Sequence, residues 1–209
     1  MSLAKLQTNP TFKERFFCNA FKMDLVERIK TFYNLTKDEI EITKNAFTPK
    51  FIPAKAYFLE EGKIANEVGF IASGLFRSFF YDDNANDITT HFFQQGTVVI
   101  SMKSFNNQVP SKENIIAMED SQIYYMTYDK TMELYKKVPA WRHIVKDVDE
   151  MKFNELMNRS IQLQTLSAKE RYDLFCQNYP DIIQKVALKH IASYLGIDIA
   201  TLSRLRKKR

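Results

Sequence analysis

The feature that most constrains the fold of this chain is the spacing of small and apolar residues between Leu188 and Leu205. Ala192 is small enough to let two helices approach closely, and Gly196, four residues later, can take the turn between them. Apolar residues occupy the core positions in register: Ile191, Leu195, Ile197, Leu202 and Leu205. Two ordinary packed helices rarely meet all of these demands together, so the spacing predicts a helix-turn-helix.

The positive charge of the chain is concentrated at the same end. The formal net charge is +5, whereas residues 185–209 contain seven basic residues and one acidic residue, Asp198. The other 184 residues therefore carry a net charge of −1. A solvated basic tail is common on its own, but these cations alternate with a regular apolar pattern, as in a folded element. This distribution indicates a polyanion such as double-stranded DNA as the partner.

The second helix of the motif is expected to begin at Asp198, as its N-cap, and to run to the end of the chain. Recognition helices place their N-terminal part in the major groove, which predicts base contacts from the outward-facing residues: Ile199, Ala200, Ser203 and Arg204. Arg204 can bond O6 and N7 of guanine with both arms of its fork. The other polar residues are predicted to contact phosphates: Lys189, Thr201, Arg206, Lys207, Lys208 and Arg209.

Residues 50–127 have a different character from the C-terminal end. They are rich in Phe, Tyr, Ile and Val, they contain four of the five glycines, and turn signals recur every eight to twelve residues. About eight short strands at this spacing indicate an antiparallel barrel or jelly roll. The stretch before it, to about Phe47, is predicted to be helical, with a capping box from Thr36 to Glu39.

A helical pattern runs without interruption from Pro139 to about Leu166. Apolar residues recur at three- and four-residue steps, although Lys152 and Arg159 interrupt the stripe: Trp141, Val145, Val148, Leu156 and Leu163. Such a helix is about 40 Å long, more than a small barrel can cover. Pairing with the same helix of a second copy is therefore favoured over a helix that lies wholly on its own barrel.

A second capping box, Ser167 to Glu170, marks where the next helix starts. The sequence thus predicts an α+β chain with three parts. Residues 1–138 form an antiparallel β-roll or jelly roll with N-terminal helices, residues 139–166 form a long dimerisation helix, and residues 167–209 form a small helix-turn-helix domain.

The barrel and the C-terminal motif together resemble the Crp/Fnr superfamily of bacterial transcription regulators, and look like the branch common in Bacteroidetes. The resemblance covers roughly residues 35–209 and rests on five stretches: Phe58–Gly62, Phe70–Arg77, the Gly96 turn, Leu166–Tyr172 and Ile191–Arg206. It implies a cyclic-nucleotide-binding-like roll, a dimerising helix and a DNA-binding domain that acts as a homodimer on a palindromic site. RNA polymerase is a further candidate partner.

The chain departs from the nucleotide-binding members of this family. Those members carry a Gly-Glu pair and a following Arg-Ser or Arg-Ala, whereas no arginine occurs here between Arg77 and Arg142. Lysines are point charges that lack the arginine fork, so tight binding of cyclic AMP is not expected. No cofactor is predicted and the effector is unknown; the candidate pocket residues are Arg77, Met102, Lys103, Ser111 and Lys112.

Two further departures concern cysteine and the wing. The four-cysteine iron–sulfur signature is missing, because Cys18 stands alone near the N-terminus. The six residues Pro180–Lys185 leave little room for the β-hairpin wing that many relatives place before the motif.

Two other classes of protein compete with a DNA-binding regulator. A cupin-like metal enzyme shares the jelly-roll shape but needs clustered histidines, and His91, His143 and His190 lie in three separate regions. We therefore expect no enzymatic activity. A non-specific protein or nucleic-acid interaction module would use the basic end without reading sequence. The chain has no apolar run of about 18 residues and no secretory signal. Its two cysteines, Cys18 and Cys176, lie far apart in sequence and do not suggest a disulfide framework, so a cytoplasmic location away from membranes is expected.

Overall fold

The computed structural model describes Ile29 and residues 33–207. Helix α1 (Lys37–Ala46) precedes a region of eight strands, and six helices follow that region in the described part of the chain. The strands are β1 (Thr48–Ile52), β2 (Tyr57–Leu59), β3 (Glu67–Ser73), β4 (Leu75–Tyr81), β5 (Asp87–Gln94), β6 (Val98–Val99), β7 (Asn114–Ala117) and β8 (Ser121–Thr127), with helix α2 (Met102–Asn107) between β6 and β7. The later helices are α3 (Tyr128–Lys137), α4 (Trp141–Thr165), α5 (Ala168–Asn178), α6 (Ile182–Lys185), α7 (Leu188–Leu195) and α8 (Ile199–Lys207).

The strands form two antiparallel four-stranded sheets, with the orders β1-β8-β3-β6 and β2-β7-β4-β5. A core of fully buried apolar residues lies between them, including Ile71, Phe76, Val99, Ile115 and Ile123. The α+β class and the eight predicted strands are thus confirmed. Strand β5 lies at the edge of the second sheet, where it pairs with β4 alone.

The tight connection between β3 and β4 depends on Gly74. Its φ is +112°, and a Cβ there would lie 2.1 Å from Oγ of Ser121. A side chain at this position would be strained in its backbone and would clash with β8. The glycine therefore allows the two strands, which belong to different sheets, to follow each other directly.

The predicted helix starts at Thr36 and Ser167 are confirmed. Thr36 Oγ1 accepts from the backbone N–H of Glu39 at 3.2 Å, and Ser167 Oγ accepts from that of Glu170 at 3.3 Å. In each box the glutamate side chain accepts in turn from the N-cap backbone N–H. Apart from Ile29, the predicted helical stretch before residue 33, which includes Cys18, lies outside the described residues.

Helix α4 is confirmed as a single long helix of 25 residues. The stripe predicted from the sequence lies largely against the molecule itself, because Trp141 is buried and both Val145 and Val148 are half-buried. A different set of apolar residues is exposed: Phe153 at 61%, Leu156 at 55%, Met157 at 46% and Ile161 at 52%. Of the predicted stripe, Leu156 belongs to this set and Leu163 is also exposed, at 39%.

Candidate nucleic-acid interface

Helices α7 and α8 form the predicted helix-turn-helix. Gly196 ends α7 with a φ of +64°, in the left-handed region that a turn between two helices requires. Ala192 is 1% exposed and Leu202 is fully buried, so the small residue and the core residue lie where the spacing predicts them. Ile197 and Leu205 pack as half-buried neighbours of the same core.

The apolar core of the C-terminal domain continues into the roll. Phe92 of β5 lies 5.3 Å from Tyr194 and 6.1 Å from Phe175, measured between ring centroids. Leu75 of β4 belongs to the same buried cluster. The two parts of the molecule therefore share one continuous apolar contact.

The segment Pro180–Lys185 is too short for a full wing. It forms the single-turn helix α6 instead.

Asp198 caps the start of α8, as predicted. Its Oδ1 accepts from the backbone N–H of Thr201 at 2.7 Å, and its Oδ2 accepts from the Thr201 hydroxyl at 2.7 Å. These hydrogen bonds lower the pKa of the Asp198 carboxyl, since they favour its charged form. The Thr201 hydroxyl, predicted to contact a phosphate, is thus turned towards Asp198.

The four residues predicted to read bases lie on one side of α8, within 140° of each other at 100° per residue. Ile199 is 52% exposed, Ala200 and Arg204 are exposed, and Ser203 is half-buried. Arg204 Nε donates to the carbonyl of Ala200 at 3.3 Å, which lays its stem along the helix. Lys189, Arg206 and Lys207 are also exposed, whereas Lys208 and Arg209 lie outside the described residues. Their contacts with DNA stay predictions.

Two arginines that sequence reasoning did not assign to the site hold the end of α7. Arg171 donates from Nε to the carbonyl of Leu195 at 2.9 Å. Arg159 donates from Nη2 to the carbonyl of Tyr194 at 2.9 Å, and its guanidinium lies 4.6 Å from the centroid of the Tyr194 ring. Cations suit a helix C-terminus because its last carbonyls lack helical partners. For Arg159 the sequence does carry a signal, since this residue interrupts an apolar stripe.

Helix α7 also contacts β5 through polar side chains that the sequence did not single out. Ser193 Oγ accepts from the backbone N–H of Thr89 at 2.9 Å. Nδ1 of His190 lies 3.8 Å from Oδ1 of Asp87. Burial, followed by the charge of Arg77, lowers the pKa of His190 from 6.5 to about 4. His190 is therefore neutral at pH 7 in this arrangement.

The five candidate pocket residues fall into two groups. Arg77 is 4% exposed, and its guanidinium donates to both carboxylate oxygens of Asp87 and to the Thr89 hydroxyl. Arg77 is therefore hydrogen-bonded to β5. Ser111 is hydrogen-bonded to other residues, namely Glu113 and Ser101, which lies near the start of α2.

The other three candidates lie near Ser111 in sequence. Met102 is half-buried, and Lys103 and Lys112 are exposed. A cavity of about 260 Å³ opens between β1, β2 and the loop before β3. None of the five candidate residues is among those that line it, so the role of these five in binding an effector stays a prediction.

Neither a metal site nor a membrane span is found among the residues that the structure describes. No group of three or more His, Cys, Asp or Glu side chains in this part of the chain is placed to hold a metal ion. No helix within Ile29 and residues 33–207 is both long enough and apolar enough to cross a bilayer.

Comparison with known proteins identifies the β-region. Residues 49–138 match the family model of the cyclic nucleotide-binding domain. No curated protein sequence matches the chain.

Solved structures of three bacterial proteins share the fold. The c-di-GMP responsive global regulator CLP of Xanthomonas campestris is 14% identical, with a TM-score of 0.65, and the match covers 83% of this chain and 91% of CLP. FixK2 of Bradyrhizobium japonicum is 14% identical, with a TM-score of 0.67 over 78% of this chain and 83% of its own. A Eubacterium rectale protein assigned to the crp/fnr family is 13% identical, with a TM-score of 0.66 over 84% of this chain and 83% of its own. The chain thus shares its fold with these three proteins, one of which is assigned to the crp/fnr family.

Proposed function

We propose that this chain is a transcription regulator that binds a specific DNA sequence as a homodimer through α8. The observation that carries the proposal is the outer face of α8, where Ile199, Ala200 and Arg204 are exposed on a helix-turn-helix with a formed turn and core. Residues 185–209, which include this helix, carry a net charge of +6. A major groove accepts such a helix, and its phosphates attract the surrounding cations.

The exposed apolar side of α4 supports the homodimer. Phe153, Met157 and Ile161 follow one another at four-residue steps, with Leu156 beside them, and all are 46–61% exposed. A contiguous apolar stripe of this kind on a long helix is typical of a helix that pairs with another. A two-fold dimer presents two copies of α8, which matches a palindromic site.

We propose that the roll does not bind cyclic AMP tightly. The segment between α2 and β7 contains a carboxylate of its own, that of Glu113. Its Oε1 accepts a hydrogen bond from Ser101 Oγ at 2.7 Å. A carboxylate at this place repels a phosphate, and the two nearest basic candidates, Lys103 and Lys112, are exposed lysines. Titration of the protein with cyclic AMP in a calorimeter is expected to give no heat of binding at micromolar concentrations, and saturable binding would contradict the proposal.

A metal enzyme is disfavoured by the positions of the three histidines. His91 lies on β5, where its Nε2 is 3.3 Å from Nζ of Lys152. His143 is exposed on α4 and His190 faces Asp87 from α7. A regulator that acts on DNA through RNA polymerase, in the cytoplasm and without enzymatic activity, fits the chain better.

Duplex binding measured by fluorescence anisotropy at several salt concentrations tests the proposal. We expect affinity for genomic fragments to fall steeply with salt, because bound phosphates release counterions. Salt-dependent binding that is equal for all sequences would instead support a non-specific interaction module. No binding at low salt would exclude both functions.

The variant Arg204→Ala tests whether Arg204 contacts a base. It is expected to weaken binding to a preferred sequence by about 1–3 kcal/mol and to relax the preference at one base pair. Arg142→Ala is the matched control, since Arg142 is an exposed arginine near the start of α4. An unchanged binding profile for Arg204→Ala would remove this residue from the interface.

A further inference from the structure

The open edge of β5 is where the helix-turn-helix meets the roll. An edge strand presents backbone N–H and C=O groups that lack a strand partner. On β5 these groups meet α7 instead, since the N–H of Thr89 donates to Ser193 Oγ at 2.9 Å. The Ser193 hydroxyl donates in turn to the carbonyl of Asp87 at 3.3 Å. One serine side chain thus provides hydrogen-bond partners for two backbone groups of the edge strand, the N–H of Thr89 and the C=O of Asp87.

Arg159 joins three parts of the molecule at the same place. Its Nη2 donates to the carbonyl of Tyr194 at 2.9 Å and to that of Thr89 at 3.4 Å. Its guanidinium also stacks on the ring of Tyr194, 4.6 Å from the centroid. A single side chain of α4 therefore contacts both the edge of β5 and the last turn of α7.

These contacts lie immediately before the turn of the motif. Ser193 and Tyr194 are the third and second residues before Gly196, and α8 begins three residues after this glycine. Fixing the end of α7 on β5 and α4 therefore fixes the direction of α8 relative to α4. In a dimer that pairs through α4, this direction sets the separation of the two copies of α8.

We propose that Ser193 and Arg159 are positioning residues that lock α7 onto the edge of β5 and thereby set the half-site spacing that the dimer reads. The proposal rests on the proposed function, because it concerns the same DNA-binding surface. Neither residue needs to touch DNA. Half-sites read by such dimers are centred about one helical turn, ~34 Å, apart, so a small change in the angle of α8 alters the register with the groove.

Hydrogen exchange of the Thr89 amide tests, without DNA, whether Ser193 holds α7 on the edge of β5. In Ser193→Ala the amide loses its acceptor, and we expect its exchange to become about tenfold faster in the folded protein. Ser73→Ala is the control, because Ser73 is an exposed serine at the end of β3. Unchanged protection of Thr89 in Ser193→Ala would overturn the lock.

Binding to sites of altered spacing tests the consequence for recognition. The probes are the palindrome preferred by the wild-type protein, the same palindrome with one or two base pairs inserted at its centre, and an isolated half-site. We expect the wild-type protein to prefer its own spacing by about tenfold or more. In Ser193→Ala and Arg159→Met this preference should fall to about threefold or less, while affinity for the isolated half-site stays the same.

The outcomes separate the two proposals. Arg142→Met is the control for the loss of an arginine from α4, and circular dichroism checks that each variant is folded. Variants that keep the full spacing preference would overturn the positioning role even if the wild-type protein binds a palindrome. A wild-type protein without any sequence preference would overturn the proposed function and the spacing role together, whereas the exchange of Thr89 would still decide the lock.

Discussion

Arg77 illustrates how a single buried charge depends on its partner. Its guanidinium donates to both oxygens of Asp87, with Nη2 to Oδ2 at 2.7 Å, and to the Thr89 hydroxyl at 3.0 Å. Its side chain is 4% exposed and lies 4.1 Å from the centroid of the Phe79 ring. Removing the carboxylate would leave a buried cation without a counter-charge, which costs more than removing both charges.

The variant Asp87→Ala is therefore expected to lower the free energy of unfolding by about 3 kcal/mol. Arg77→Met, which removes the buried cation and keeps an apolar side chain, should lower it less. Urea unfolding of both variants and the wild-type protein measures the difference. A smaller loss in Asp87→Ala than in Arg77→Met would show that the ion pair does not control stability here.

His190 predicts how stability depends on pH. The charged groups around it are Asp87 of β5, Arg77 of β4 and Lys189 beside it on α7. In the folded protein its pKa is lowered from 6.5 to about 4, first by burial. The unfolded chain therefore takes up a proton more readily, and the stabilisation by neutral His190 is fully present above pH 6.5 and lost towards pH 4.

The variant His190→Gln should flatten this dependence. Urea unfolding of both proteins above pH 6.5 and near pH 4 should show that the free energy of unfolding falls further in the wild-type protein than in the variant. The difference between the two proteins isolates His190 from other groups that titrate in this range. Parallel losses in the two proteins would contradict the assignment.

At the scale of elements, the parts that local sequence determines could be predicted. The capping boxes at Thr36 and Ser167, the eight strands and the turn at Gly196 follow from residues that are close together in the chain. The stripe predicted on α4 is exposed only in its C-terminal half, at Leu156 and Leu163. Trp141, Val145 and Val148 repeat as a coiled-coil stripe would, yet they lie against the molecule. Lys152 and Arg159 continue that face, and their contacts with the roll and α7 explain why charge interrupts it.

The exposed side of α4 predicts the effect of a charge on dimerisation. Ile161→Glu places a carboxylate in the apolar stripe, where its burial in a dimer is unfavourable, and should raise the dimer dissociation constant by about a hundredfold. Asn158→Glu is the control, because it adds the same charge to the same helix outside this apolar set. Light scattering over a concentration series measures the change. A dimer that persists unchanged in Ile161→Glu would show that α4 is not the interface.

At the scale of the whole molecule, the roll and the helix-turn-helix form one packed unit. Leu75 and Phe92 of the roll belong to the same buried cluster as Phe175, Ile191 and Leu202. The sequence could not reveal this, because the contacts join residues about a hundred positions apart and each residue is ordinary for its own element. The same reason hides the contact of Ser193 with β5, whereas Arg159 is marked in the sequence only as a charge that interrupts an apolar stripe. The division into residues 1–138, 139–166 and 167–209 and the Bacteroidetes branch stay predictions.

The central claim is that two copies of α8 read one palindromic DNA sequence. Selection of bound duplexes from a random pool by the wild-type protein tests it most directly. The proposed homodimer predicts enrichment of an inverted repeat. Its half-sites should be centred about 10 base pairs apart, or a multiple of that distance. A pool that stays random after repeated rounds of selection would contradict sequence-specific binding, and an enriched site without two-fold symmetry would contradict the dimer.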